Sequence, residues 1–214
     1  MRIFTFLFFI FSFSLSAQEK QYTFVFLNKK ENPVLPKEQV DKIMEGHMAN
    51  INRLAKEGKL ILAGPFEGGG GIFILNTTSV DEAKEWLSTD PGVQANRWNV
   101  ELLPFKSRIG GVCGAKEPYE MTMYSFVRFI ATVSKFTAST YPQILHKHDE
   151  YIKELKLTGN VIAEGTFGEH DGGILVMKGD ITTELFENDP GVKEALLELS
   201  IKSLWVAKGS FCEK

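Results

Sequence analysis

Two histidine–aspartate combinations are the residues of this sequence best suited to chemistry. His47 is followed by Asp90, and His148 is followed by Asp189 at a similar spacing. A carboxylate that accepts a hydrogen bond from an imidazole orients the ring and favours proton exchange near working pH. The four residues therefore predict general acid–base chemistry on a small organic molecule, of the isomerisation, elimination or lactone type.

A structural role for the same residues stays open. A histidine on the apolar face of a helix is more often a satisfied core residue, since an unpaired buried polar group costs about 1–3 kcal/mol. Aspartate before Pro-Gly, as at Asp90, is also a common turn composition. The alternative hypothesis is thus a non-catalytic ligand-binding or structural module in which the pairs hold helices to the sheet, and the sequence does not decide whether the protein is an enzyme.

Other reactive motifs are weaker. Gly68 to Gly71 form a run of four glycines without a following Lys-Ser/Thr, which is typical of a hairpin tip rather than a phosphate loop. His146 and His148 would point in different directions on a helix, and residues 169–171 indicate an exposed loop. Because no His-x-x-x-His or Cys-x-x-Cys spacing occurs, we predict neither a metal nor a cofactor.

An internal repeat places both pairs in the same context. Lys59–Phe66 aligns with Asn160–Phe167, and the Asp-Pro-Gly-Val run that begins at Asp90 recurs at Asp189. Equivalent positions lie 101 residues apart at the histidines and 99 apart at the aspartates. The spacing predicts a duplicated module whose second copy has lost two residues.

Each copy is predicted to fold as β-α-β-β-α-β, the ferredoxin-like arrangement. In the first copy we predict strands at 22–27, 59–63, 72–75 and 99–105, a helix at 38–56, and a second helix that opens with a capping box at 79–82. In the second copy we predict a first strand at 121–129, a helix that carries His148, a shortened helix near 182–188, and a closing strand at 200–207.

A single copy cannot cover its own sheet. Its helices lie on one face only, so the other, apolar face needs a partner. We expect an α+β protein in which two tandem ferredoxin-like modules pack sheet to sheet as an internal pseudo-dimer. The predicted division is 18–106 for the first module, 107–120 for a linker, and 121–214 for the second module.

The first 17 residues predict a signal peptide. Arg2 is followed by an apolar stretch of about a dozen residues and by the small pair Ser16-Ala17. The stretch is shorter than the roughly 20 residues that a membrane span needs. We therefore expect an exported protein, periplasmic or secreted, that keeps no membrane attachment after cleavage.

Composition narrows the choice of partner. Without residues 1–17 the chain keeps 23 basic and 27 acidic residues, a net charge of −4, and no basic run. Nucleic acid is therefore a poor candidate, and a small molecule of unknown identity is the expected ligand. Cys113 and Cys212 suit a disulfide in an oxidising compartment, although two buried free thiols remain an alternative.

These motifs together resemble the YCII-related domain. The resemblance lies in His47, Gly58–Pro65, the glycine run, and Asp90-Pro91, and it covers about 21–106 well. It covers 121–208 less well, where Thr166 replaces the proline. The resemblance implies a dimeric α+β barrel with a His–Asp site at each pocket. The family is similar in fold to muconolactone isomerase, and some relatives act as dehydrochlorinases on ring compounds.

Overall fold

The computed structural model describes residues 21–31, 35–115, 117–132, 137, 139–168 and 171–212. The predicted signal peptide lies outside the described residues, as do Glu169 and His170 of the predicted loop. Within the described ranges, no helix is both long and apolar enough to span a membrane.

In the described part of the chain, eight strands form one antiparallel sheet. They are β1 (Gln21–Lys29), β2 (Leu60–Pro65), β3 (Gly71–Leu75), β4 (Trp98–Ile109), β5 (Met121–Ala131), β6 (Val161–Thr166), β7 (Gly173–Met177) and β8 (Leu197–Ala207). Their order across the sheet is β2-β3-β1-β4-β6-β7-β5-β8. Each half of the chain thus contributes four neighbouring strands, and together with the helices they make a mixed α+β architecture.

The described residues also form two long and three short α-helices. They are α1 (Lys37–Lys56), α2 (Val80–Leu87), α3 (Pro91–Gln94), α4 (Tyr141–Lys156) and α5 (Pro190–Lys193). The shortened helix expected near 182–188 is only a 3-10 turn at Thr183–Phe186. The capping box predicted at 79–82 is present, because the Ser79 side chain accepts from the Glu82 amide.

The two halves meet in the middle of the strand order, and the two ends of that order also approach each other. β4 continues to Ile109, into the segment predicted as linker, because Lys106 and Ser107 pair with Thr166 and Gly165 of β6. The two end strands of the order, β2 and β8, also approach each other.

The contact between β2 and β8 is short but hydrogen-bonded. Phe66 and Leu204 form an isolated antiparallel bridge, and the Glu67 amide donates to the Ser203 carbonyl at 3.0 Å. Glycine allows this approach, since a Cβ at Gly64 would lie 2.5 Å from a methyl carbon of Val206.

The largest buried cluster mixes side chains from both halves. Phe24 lies 6.2 Å from Phe126 and 5.2 Å from Phe167 between ring centroids, and Phe26 lies 5.6 Å from Phe167. Two further clusters lie between the sheet and the helices, one in each half. Alternate residues of β1 belong to different clusters, because their side chains point to opposite faces of the sheet. Phe24 and Phe26 belong to the shared cluster, while Val25 and Leu27 face the helices.

Cys113 and Cys212 lie at disulfide distance. Their sulfur atoms are 2.01 Å apart and their Cα atoms 5.3 Å apart, so neither is a free thiol. The bridge between Val112 and Phe211 brings the two segments together one residue earlier in each. The pair joins the segments that follow the last strand of each half.

Candidate functional site

His47 lies in the middle of α1, on the side that faces the sheet. The buried residues of this helix are His47, Asn50 and Leu54, which recur at the three- and four-residue spacing of one helix face. The imidazole packs against two aromatic rings, with centroid distances of 4.8 Å to Trp98 and 5.8 Å to Phe73. These rings leave the Nδ1 edge directed toward the loop after α2.

Asp90 meets that edge from the start of α3. It is the N-cap of α3, where Oδ1 accepts from the amides of Gly92 at 2.8 Å and Val93 at 3.1 Å. Its other oxygen, Oδ2, lies 2.8 Å from Nδ1 of His47. Because a carboxylate only accepts, Nδ1 carries the proton in the neutral ring and Nε2 has the free lone pair.

A polar network extends from this pair to the surface. Asn50 donates from Nδ2 to Oδ2 of Asp90 at 3.1 Å, and its Oδ1 accepts from Arg53 at 2.8 Å and from Thr89 at 3.0 Å. Burial acts to raise the pKa of Asp90, but the hydrogen bond and charge of His47, aided by the Val93 amide and Asn50, outweigh it and lower that pKa. Asp90 is therefore held ionised beside the imidazole.

The second pair repeats the central contact. Nδ1 of His148, in α4, lies 2.7 Å from Oδ2 of Asp189. Asp189 is the N-cap of α5, and its Oδ1 accepts a hydrogen bond from the Gly191 amide at 2.8 Å. Phe129 packs edge-on against the imidazole with centroids 4.7 Å apart.

The surroundings of the two pairs differ at the second ring nitrogen. Nε2 of His148 lies 3.4 Å from the carbonyl oxygen of Gly172, so both of its nitrogens face acceptors. No residue in the described part of the chain hydrogen-bonds Nε2 of His47. The His47 side chain keeps 7% of its exposure and the His148 side chain 1%, whereas both aspartates are fully buried. Among the described residues, the first pair thus has an imidazole nitrogen without a hydrogen-bond partner, whereas the second pair does not.

The four predicted site residues come together as the two predicted pairs, and their catalytic role stays a prediction. Asn50 was missed, although it lies three residues after His47 on the same helix face. Its equivalent in the second half is Tyr151, whose hydroxyl donates to the Leu185 carbonyl at 2.5 Å instead. The contact of His148 with Gly172 has no sequence signal, because any residue supplies a backbone carbonyl.

Two of the weaker candidates, the glycine run and the His146–His148 spacing, lie as the sequence predicts. The glycine run joins β2 to β3, and Gly68, Gly69 and Gly70 all have positive φ, as a glycine turn requires. His146 is exposed while His148 is buried, so they lie on different faces of α4. Among the described residues, no group of three or more His, Cys, Asp or Glu side chains is arranged to hold a metal ion.

Comparison with known proteins supports the family-level interpretation for the first half. The YCII-related domain matches residues 22–106, the segment that contains both His47 and Asp90. No curated protein shows a significant match to the chain.

Proposed function

We propose that the first half of this protein transfers protons on a small organic molecule, with His47 as the general acid–base and Asp90 as the residue that orients it. The observation that carries the proposal is the asymmetric ring of His47: Nδ1 is bound to an ionised, buried carboxylate at 2.8 Å, and Nε2 has no partner in the described chain. Such a ring can accept a proton at Nε2 while the carboxylate stabilises the imidazolium that results.

The second pair, in this proposal, is structural. A carbonyl and a carboxylate both accept, so His148 can satisfy both of its contacts only by donating from both nitrogens. A ring in that state has no lone pair for a substrate proton. His148 and Asp189 then hold α4, α5 and the start of β7 together.

The fold that accompanies this function is proposed to be two tandem ferredoxin-like modules that pack as an internal dimeric α+β barrel. The shared cluster of buried side chains supports it, as do the β4–β6 pairing and the β2–β8 bridge. We also propose that residues 1–17 direct export. The disulfide-distance pair of Cys113 and Cys212 supports that proposal, because disulfides persist in oxidising compartments. N-terminal sequencing of the protein from cell fractions tests it: a mature chain in the cytoplasm that keeps residue 1 would contradict export.

One observation favours a second candidate, a non-catalytic module. Asp90 is fully buried and uses both oxygens in structural bonds, one to the cap of α3 and one to α1. That arrangement is also what a clamp between two helices requires. In this alternative, both histidines contribute stability and neither changes turnover.

Matched variants separate the two candidates. The mature protein, His47→Gln and His148→Gln are assayed for turnover against a panel of small lactones, aromatic acids and phenols, and their unfolding is followed in parallel. The proposal expects turnover by the wild type that is lost in His47→Gln and kept in His148→Gln. If no panel member is turned over and both variants lose similar stability, the clamp is favoured.

A further inference from the structure

A small cavity opens beside the shared aromatic cluster, on the face of the sheet opposite His47. Its volume is about 60 Å³, and it lies between β1, β5 and β8. Phe26, Phe66 and Phe126 form its apolar wall, and its charged lining residues are Arg128 and Lys202. Since pockets for drug-sized ligands measure about 300–1,000 Å³, the space suits a single small group such as a carboxylate.

Arg128 is held rigidly at this cavity. Its guanidinium lies 4.1 Å from the Phe26 ring centroid, and its two terminal nitrogens each donate to one carboxylate oxygen of Glu101 at 2.8 Å. The hydrogen bond from Arg128 lowers the pKa of Glu101, so the carboxylate stays ionised. The remaining donor, Nε–H, is buried and has no acceptor among the described residues.

Lys202 adds a second positive charge. Its Nζ lies 4.9 Å from the centroid of the Phe66 ring, and no carboxylate of the described chain lies within ion-pair distance. No acidic residue lines the cavity. Glu101 offsets Arg128, and burial raises the pKa of Asp171, whose carboxyl also interacts with Arg128. The charge of Lys202 therefore leaves a net positive site against an aromatic wall.

The two cationic residues of this cavity, Arg128 and Lys202, lie in the second half, and the equivalent positions of the first half are apolar. The strand register makes Phe26 of β1 the equivalent of Arg128 of β5. Phe26 pairs with Glu101 of β4, and Arg128 pairs with Ser200, which is the equivalent position of β8. Leu103 is likewise the equivalent of Lys202. Two apolar positions of one half are thus cationic in the other, and both cations line the same cavity.

We propose that this cavity binds the carboxylate group of a small organic acid, with Lys202 Nζ and Arg128 Nε–H as donors and the phenylalanine rings against its apolar part. The site is separate from the His–Asp pairs, since Phe26 and Phe126 face the shared cluster while the histidines lie between helix and sheet. The carboxylate-binding proposal can therefore be tested independently of the acid–base proposal.

Acetate is the first probe, titrated into the mature protein at constant ionic strength against sodium chloride. We expect saturable binding that Lys202→Met weakens at least tenfold. The matched control is Lys208→Met, which removes the same charge from an exposed lysine paired with Glu120 and should change affinity less than twofold. If both variants weaken acetate binding equally, the loss follows from the overall charge of the protein rather than from this cavity, and the proposal is overturned.

A measurement on the wild type avoids any question of variant folding. The Nε–H resonance of Arg128 is followed by NMR during the acetate titration. A saturable shift with the same midpoint supports the site. Absence of both saturable binding and a resonance shift would overturn it.

Discussion

The two His–Asp pairs of this protein share the hydrogen bond between imidazole and carboxylate, and they differ in the residues that surround it. The Nδ1–Oδ2 distance is 2.8 Å in the first pair and 2.7 Å in the second, and both aspartates cap a four-residue helix. The second imidazole is closed by the Gly172 carbonyl, whereas the first has no described partner at Nε2. The contact that both pairs share fits a structural role, and the open nitrogen of His47 is the feature on which the proposed acid–base chemistry depends.

The halves also differ in the residue three positions after each histidine. Asn50 ties Asp90 to α1 and to the surface residues Arg53 and Thr89, while Tyr151 bonds to the turn before α5. Asp90 thus receives bonds from His47, Asn50 and two backbone amides. Asp189 receives one from His148 and one from Gly191.

The largest expected difference is in catalysis. With a substrate from the panel, His47→Gln should lower kcat/KM by about 10²–10⁴-fold, the usual contribution of a general acid–base. His148→Gln should change it less than about threefold, because that ring has no free nitrogen. Equal losses in the two variants would contradict the asymmetry.

Removing each aspartate should affect stability unequally. Asp90→Ala is expected to lower the free energy of unfolding by about 3–5 kcal/mol, since it leaves a buried imidazole, an amide side chain and a helix cap without an acceptor. Asp189→Ala should cost less, because fewer donors lose their partner. Urea unfolding of both variants gives the comparison, and a larger loss for Asp189→Ala would be inconsistent with the observed bonding.

The ionisation of Asp90 should contribute to the pH dependence of the free energy of unfolding. Its pKa is lowered in the folded state, so its contribution is fully present above the unfolded value of about 3.9 and is lost as pH falls through the folded pKa. Unfolding free energies measured from pH 6 down to pH 2 should fall less steeply in Asp90→Asn than in the wild type. Identical slopes would mean that the carboxylate is not stabilised in its ionised form.

The smallest expected effects belong to the neighbouring residues. Asn50→Ala should cost about 1–3 kcal/mol, because it removes one donor to buried Asp90, and Tyr151→Phe should cost about 0.5–1.5 kcal/mol for one hydrogen bond to a carbonyl. Thermal unfolding measures both. A larger effect for Tyr151→Phe would show that the second pair depends more on its surroundings than the first.

Much of the site could be predicted because it rests on local patterns. The amphipathic period of α1 places His47 on the buried face, and the repeat identifies the same face of α4. The helix α1 begins one residue before its predicted start and ends at the predicted Lys56. The short helices α3 and α5 were not predicted, because the composition Asp-Pro-Gly is equally suited to a turn.

What could not be predicted depends on contacts between distant segments. β4 extends past residue 105 because β6 pairs with it, and that pairing leaves no local pattern. The cavity at Arg128 and Lys202 combines residues of β5 and β8 with Phe26 and Phe66 from the first half. Alternation along each strand shows which side chains share a face, but not which strands meet.

The accessibility of the two ring nitrogens tests the central claim most directly and needs no substrate. Diethyl pyrocarbonate modifies unprotonated imidazole nitrogens, and peptide mass mapping gives a rate for each histidine. Exposed His146 serves as the internal standard. The account predicts that His47 reacts more slowly than His146 but clearly faster than His148, which stays protected until unfolding. Equal protection of His47 and His148 would contradict an open Nε2 at the first pair and leave both pairs as structural clamps.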